Sequence, residues 1–521
     1  MAGTTYYFNV RAKDAAGNSS GLVTDSWIYQ FNPAWIQQAY VKASQVSNAD
    51  NFGSVTAIDQ DLLVVGSPQE DSNLTTIQNG GPFSTDEGAT NAGAVYVYRR
   101  SGVNWTQTTF IKALNAQLSD FFGQAIAVSG DTIVVGAPFE DSSSTTITNG
   151  PTFSWDEGSS NSGAVYVYRY DGSVWTLEAF IKAPNSVANI KFGTSVAIDK
   201  DTIVVGAPFE DAPASGPLAT APSTTSLADA GAAYVFTRTG TTWSFQYYLK
   251  SNNADSTDYF GLNVAVHGDT VAVGVPFEDS NQATITNGTS SSGDNTYGDS
   301  GAVYIFARSG VVWTQQAFLK APNVGAGDEF GDSISIFENH LVVGAWNEAS
   351  SDTSISNGTS ASSNNSFSSS GAAYVFYRSG SNWSHQAFLK PSNNVSAGMN
   401  FGSSVGIFGS TIVVGAALER SNAVTPSYGS TASNNTSLPN AGAAYVFQSS
   451  GSTWSQAAYL KATNTGASDN FGKTGVGISG STIVVGAPEE DSNQNTITNG
   501  TSSSNDNSIN GAGAVYIFEA P

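Results

Sequence analysis

Hydrophobic and polar positions along this chain fall into short runs, each bounded by Gly, Asp, Asn or Pro. A well-marked stretch has its runs at Gln124–Val128, Thr132–Val135, Ala164–Tyr168 and Trp175–Ile181. They are rich in Val, Ile, Tyr and Phe and too short for helices, so they read as β-strands. Ser129-Gly130-Asp131 reads as a tight hairpin between the first two runs. No stretch has the length and period of a useful helix.

The same text recurs along the chain. A Trp stands at Trp35, Trp105, Trp175, Trp243, Trp313, Trp383 and Trp454. A Lys follows each of them, at Lys42, Lys112, Lys182, Lys250, Lys320, Lys390 and Lys461. Phe-Gly comes next, beginning at Phe52, Phe122, Phe192, Phe260, Phe330, Phe401 and Phe471. An apolar run ending in Gly-Ala-Pro or a variant then precedes a run of the type Gly-Ala-Val-Tyr-Val-Tyr. Seven copies of a four-stranded antiparallel unit predict an all-β, seven-bladed β-propeller. The repeats open at Trp35 with a fourth strand and stop at Phe518 after a third. Closure is therefore expected through Trp35–Val41, which would complete the last blade and remove the open sheet edges.

These ladders resemble FG-GAP repeats, with Phe122-Gly123 and Gly136-Ala137-Pro138 as the motifs of the second copy. The units are similar to those of the integrin α-subunit propeller and of bacterial surface proteins. The resemblance implies adhesion or ligand binding, often with calcium. The integrin-type calcium loop does not carry over, because connections such as Ile58-Asp59-Gln60-Asp61 are too short and carboxylate-poor to surround a cation. Before the propeller, Tyr6, Phe8, Val10 and Ala12 alternate as in the closing strands of a fibronectin type III domain. The expected organisation is a fibronectin-like remnant at 1–23, a linker at 24–34 and the propeller at 35–521, all within a longer multidomain protein.

Between the second and third strands of each unit lies an excursion of nearly constant length, which argues for order. Its text recurs as Thr145-Thr146-Ile147-Thr148-Asn149-Gly150, where Asn-Gly predicts a hairpin. Acidic residues gather on the same face. Glu-Asp follows the Gly-Ala-Pro corner at Glu70-Asp71, Glu140-Asp141, Glu278-Asp279 and Glu490-Asp491, and an Asp precedes Phe-Gly at Asp50, Asp120, Asp258 and Asp469. These twelve carboxylates are the candidate ligands for Ca²⁺; the other reading is that they accept backbone N–H bonds inside tight loops. The repeated Lys is read as an edge-protecting residue on the outer strand, within reach of the Asp before Phe-Gly. The repeated Trp is read as packing. Blades five and six depart from the Glu-Asp text, and Trp346 there replaces the corner Pro. Trp346, Trp155 and Arg420 are the candidate ligand-contacting residues.

Composition narrows the function. The net charge of −23, from 42 acids and 19 bases, disfavours nucleic acid and anionic lipid and favours cations. No apolar run reaches membrane-spanning length. Cysteine is absent, so neither disulfides nor thiolate metal sites form. The three histidines, His267, His340 and His385, fall in separate hairpins and strands with no triad partner. The expectation is a non-catalytic, monomeric module at the cell surface or outside the cell, with no catalytic residues. Its partner would be a cell-surface protein or a glycan, a lectin-like propeller being the alternative and a polysaccharide-degrading enzyme the remote one.

Overall fold

The computed structural model describes residues 4–10, 23–29, 35–83, 86–213 and 215–520. In the second repeat, Ala125–Ser129, Thr132–Ala137, Ala164–Tyr170 and Trp175–Ile181 pair in chain order, all antiparallel. The second strand is buried along its whole length, which explains its unbroken apolar text. Seven such sheets follow one another, and none of the described residues is helical. The first strands surround a central axis lined by Ile, Val and Ala side chains. Each of the seven repeated tryptophans is at most 2% exposed, so the packing reading of this ladder holds.

Phe-Gly joins neighbouring blades. The Phe122 N–H donates to the Ala92 carbonyl of the preceding blade at 3.1 Å. Its ring meets Tyr166 and Tyr168 edge-on at 5.2 and 6.2 Å. Gly123 has φ +92, and a Cβ there would lie 2.6 Å from the Ala94 carbonyl oxygen, so only glycine fits.

The ring closes as its phase predicts. Ile36–Val41 pairs with Ala514–Glu519, placing Ala39 opposite Ile517 and Tyr40 opposite Tyr516. Trp35 and Tyr40 pack with Phe471, Val485, Tyr516 and Phe518 of the last blade.

Two expectations need correction. Six blades have five strands and one has four. The Thr-Asn of the recurring excursion text is not the arm of a local hairpin: Thr148–Asn149 adds a short strand outside Ala179 and Phe180, as Thr286–Asn287 and Thr498–Asn499 do in their blades. The reason lies in the next blade. Asn149 Nδ2 donates to the Trp243 carbonyl at 3.0 Å, and its Oδ1 accepts from the Trp243 N–H at 2.7 Å. Asn79, Asn287, Asn357 and Asn499 hold Trp175, Trp383, Trp454 and Trp105 in the same way.

At the N-terminus, Thr4–Val10 pairs antiparallel with Val23–Tyr29. The stretch read as a linker therefore carries a strand. Residues 11–22, which hold the rest of the fibronectin-like pattern, lie outside the described residues.

Candidate functional site

The repeated Lys is buried rather than edge-protecting, and its partner is the corner Glu rather than the Asp before Phe-Gly. The pairs are Lys112–Glu70 and Lys182–Glu140 at 2.7 Å, Lys320–Glu278 and Lys42–Glu490 at 2.8 Å. Lys390–Glu348, Lys461–Glu419 and Lys250–Glu210 follow at 3.0, 3.1 and 3.2 Å. Blades five and six thus keep the Glu although their text differs around it. Burial pushes Lys112 and Lys182 down and Glu70 and Glu140 up, while each partner's charge pulls the other way. An Asn from the preceding connection completes the network: Asn115 Nδ2 donates to Glu140 at 3.2 Å, and Tyr166 donates to Asn115 Oδ1 at 2.7 Å. The same three residue types meet in blades three to seven. In blade one Gln45 takes the Asn place and donates instead to Asp86 and Glu87. There Glu70 Oε1 and the Tyr96 hydroxyl have no hydrogen-bond partner among the described residues.

The other candidate carboxylates sit in loops. Asp120 is buried and accepts the Gln117 N–H at 3.0 Å. Asp50, Asp258 and Asp469 repeat this cap on Ser47, Asp255 and Gly466. Burial is the main cause that lifts Asp120 and Asp258 to about 8, and Asp50 and Asp469 to about 7. Asp71, Asp141, Asp279 and Asp491 each accept one backbone N–H through Oδ1, from Asn91, Asn161, Asp299 and Gly511. Among the described residues no three His, Asp or Glu side chains converge as a metal site would require.

The excursion face carries a feature that sequence reasoning did not anticipate. The residue before each Phe-Gly is left-handed: Asn51, Asn400 and Asn470 in three blades, but Phe121, Lys191, Tyr259 and Glu329 in the other four, all with φ between +50 and +56. Asn tolerates this region, whereas other L-residues pay about 1 kcal/mol or more. Three of the four costly side chains join the residues after the Pro corners in one row. Phe121 meets Phe139 at 5.1 Å, and Lys191 lies over Phe139 and Phe209 at 5.0 and 4.1 Å. Tyr259 then bridges Phe209 and Phe277 at 5.1 and 5.3 Å. Each ring and the Lys is only partly buried. The available signal was Phe after Gly-Ala-Pro (Gly-Val-Pro in blade four) in blades two to four alone.

The three proposed contact residues are not brought together. Trp346 is partly buried and donates from Nε1 to Glu329 at 2.9 Å. Trp155, 60% exposed, stands edge-on to Phe153 at 5.1 Å in the blade-two excursion. Arg420 is exposed on blade six. His267 and His340 lie at hairpins on the opposite face; His385 is buried in an outer strand, where desolvation lowers it to about 4.

No helix among the described residues is long and apolar enough to cross a membrane. No curated protein matches the chain. Among solved structures, Trypanosoma rangeli sialidase aligns over 88% of this chain and 60% of its own length, at 8% identity and a TM-score of 0.30. That likeness is too weak to carry an argument. The FG-GAP repeat family model matches residues 35–98, 105–168, 175–236, 243–306, 313–376, 383–447 and 454–518. With nearly every propeller residue inside one of these matches, the chain belongs to the FG-GAP repeat family.

Proposed function

We propose that this protein is a non-catalytic binding or adhesion module acting at a cell surface or outside the cell. Its excursion face would meet a protein or glycan partner, as in the integrin-like members that the repeats resemble. One observation carries this reading: the row from Phe121 to Phe277 places three side chains at left-handed positions where Asn would cost less. Partly exposed aromatic rings in a row offer apolar contact to an aliphatic or sugar surface. The repeated Glu and Lys serve the scaffold, so the departures from repetition are where recognition would reside.

A lectin-like role is the second reading, favoured by the exposed Trp155 ring held edge-on to Phe153 in the blade-two excursion. Calcium enters as an accessory that stiffens the excursions. With the glutamates committed to lysine, that role narrows to Asp71, Asp141, Asp279 and Asp491, whose second carboxylate oxygens remain for a cation.

The test is a screen of the intact chain on glycan and extracellular-protein arrays, with and without EDTA. A Phe209→Ser/Tyr259→Ser variant serves as the comparison. Loss of the captured ligand with unchanged melting supports the reading. Equal capture by both proteins contradicts it.

A further inference from the structure

On the face opposite the excursions, the third-strand residue paired with the repeated Trp is an arginine in four blades: Arg100, Arg238, Arg308 and Arg378. The first three each hold an Asp of their own blade, Asp61, Asp201 and Asp269, at 2.6, 2.8 and 2.7 Å. Blade five keeps the Arg and loses the Asp. Arg378 faces Asn339, whose Oδ1 accepts from Nε at 3.0 Å. The guanidinium is still fixed as its counterparts are, with Nη1 donating to Thr270 Oγ1 at 2.5 Å and the Trp383 ring 5.4 Å away. Nη2 reaches only the Glu338 carbonyl, at 3.4 Å. Three of the five N–H groups are thus bonded, and among the described residues no carboxylate pairs with this charge.

Arg378 opens on a cavity of about 490 Å³ between blades four and five, walled also by His267, Thr270, Arg308 and Asn339. That volume is usual for a small-molecule site. Two carboxylates stand at the cavity, and neither serves Arg378. Asp269 is held by Nε and Nη2 of Arg308. Glu338 is exposed, and its charge acts on His340. A guanidinium fixed by its neighbours and short of a counter-ion is a ready partner for a carboxylate. The net charge of −23 opposes anions at long range, so a single carboxylate suits the site and a polyanion does not.

A second departure from the repeat falls in the same blades. Elsewhere on this face, neighbouring hairpins are joined by hydrogen bonds. Asp59 accepts the Gly130 N–H at 2.7 Å, Ser129 the Lys200 N–H at 3.0 Å, Asp199 the Gly268 N–H at 2.6 Å and Ser479 the Gln60 N–H at 2.9 Å. The equivalent residues of blades four to six are His267, Phe337 and Phe408, and there rings meet instead. His267, in the cavity wall, lies 5.1 Å from Phe337, which lies 4.7 Å from Phe408. Phe408 is exposed and the other two are partly so. A cation without a counter-ion and a row of accessible rings thus adjoin at His267.

We propose that the cavity between blades four and five binds a carboxylate borne on an aromatic group, with the carboxylate at Arg378 and the aromatic group against the rings of His267, Phe337 and Phe408. The unspent N–H groups of Arg378 meet the carboxylate oxygens, and edge-on or offset ring contact holds the aromatic group. Asn339 decides the matter: an Asp there would take the guanidinium for itself, as in blades one, three and four. The ligand is either a free arylalkanoate or the C-terminal carboxylate of a partner chain that ends in an aromatic residue. Neither source depends on the excursion-face role proposed above.

The probe is phenylpropanoate titrated calorimetrically into the intact chain, beside propanoate, phenylpropanamide and inorganic phosphate. Phenylpropanoate is expected to bind at least about tenfold more tightly than any of these controls. Asn339→Asp, equal in shape, is expected to weaken it by about tenfold or more while melting stays the same or rises. Phe408→Ser should bring phenylpropanoate down toward propanoate with circular dichroism unchanged. Arg169→Gln, which removes a partly exposed arginine from the same face outside the cavity, should leave binding as it is. Any control that binds as tightly as phenylpropanoate overturns the proposal without a variant, and so does an Asn339→Asp protein that binds like the wild type. Competition by a peptide ending in Phe as the free acid, absent for the same peptide amidated, assigns the site to a partner's C-terminus. Phenylpropanoate binding without that competition assigns it to a free acid.

Discussion

Removing one cation from the buried network should be severe, and removing its partner as well should largely undo the damage. In blade two the Lys182 ammonium lies 2.7 Å from Glu140 Oε2 and 2.9 Å from Ser162 Oγ, with both charged side chains at most 2% exposed. Lys182→Met keeps the apolar stem and deletes the charge. Glu140 then retains only the Ser142 N–H at 3.2 Å and the Asn115 amide. A buried carboxylate stripped of its cation costs about 3–5 kcal/mol. Adding Glu140→Gln removes the stranded charge and keeps an acceptor for Ser142, so the double variant should lie within about 1 kcal/mol of wild type. The single variant also has a pH signature. Burial already raises Glu140, and loss of Lys182 raises it further. A carboxyl whose folded pKa exceeds its unfolded one favours folding below the unfolded value and loses that contribution as pH rises through the folded value. The deficit of Lys182→Met relative to wild type should therefore be smaller at pH 5 than at pH 8. Urea unfolding followed by fluorescence of the buried tryptophans measures all three proteins. A single variant within about 1 kcal/mol of wild type, or a double variant as unstable as the single, would refute the ion-pair account.

Asp120, held near 8 by burial, should make stability fall as pH rises from the unfolded carboxylate range toward 8. Asp120→Asn should flatten that slope and raise the melting temperature at pH 9 more than at pH 5; identical profiles would contradict the buried-cap assignment. In blade one, Gln45→Asn should let the shorter amide reach Glu70 and Tyr96, as Asn115 reaches Glu140 and Tyr166. A gain of about 0.5–1.5 kcal/mol in urea unfolding is expected, and a loss would mean the Gln45 bonds to Asp86 and Glu87 matter more.

Blade number, strand order and ring phase were legible because the Trp, Phe-Gly and apolar ladders are set by contacts that recur in every copy. The ion pairs were not, because Lys112 and Glu70 stand 42 residues apart, whereas Asp120 lies close to Lys112 in the chain and drew the assignment. The clue was arithmetical: Glu348 and Glu419 keep the Glu ladder complete, one for each Lys. Asn149 misled for a related reason. Asn-Gly signals a local turn, but this side chain is committed to Trp243 in the next blade, a contact between units that no single unit reveals. The rim row was hidden similarly, since Lys191 touches rings from two blades.

The central claim is a ring closed by its N-terminal strand, which sets all the excursions on one face. Comparing two truncations tests it most directly. Deleting residues 1–23 should leave melting as in the full chain. Deleting residues 1–42 removes Trp35 and Tyr40 from the last blade's core, takes Lys42 from Glu490, and opens the sheet edge at Ala514–Glu519. Loss of the buried Trp alone is worth about 3–5 kcal/mol, so this protein should melt far lower and self-associate. Equal melting of the two truncated proteins would contradict the closed ring.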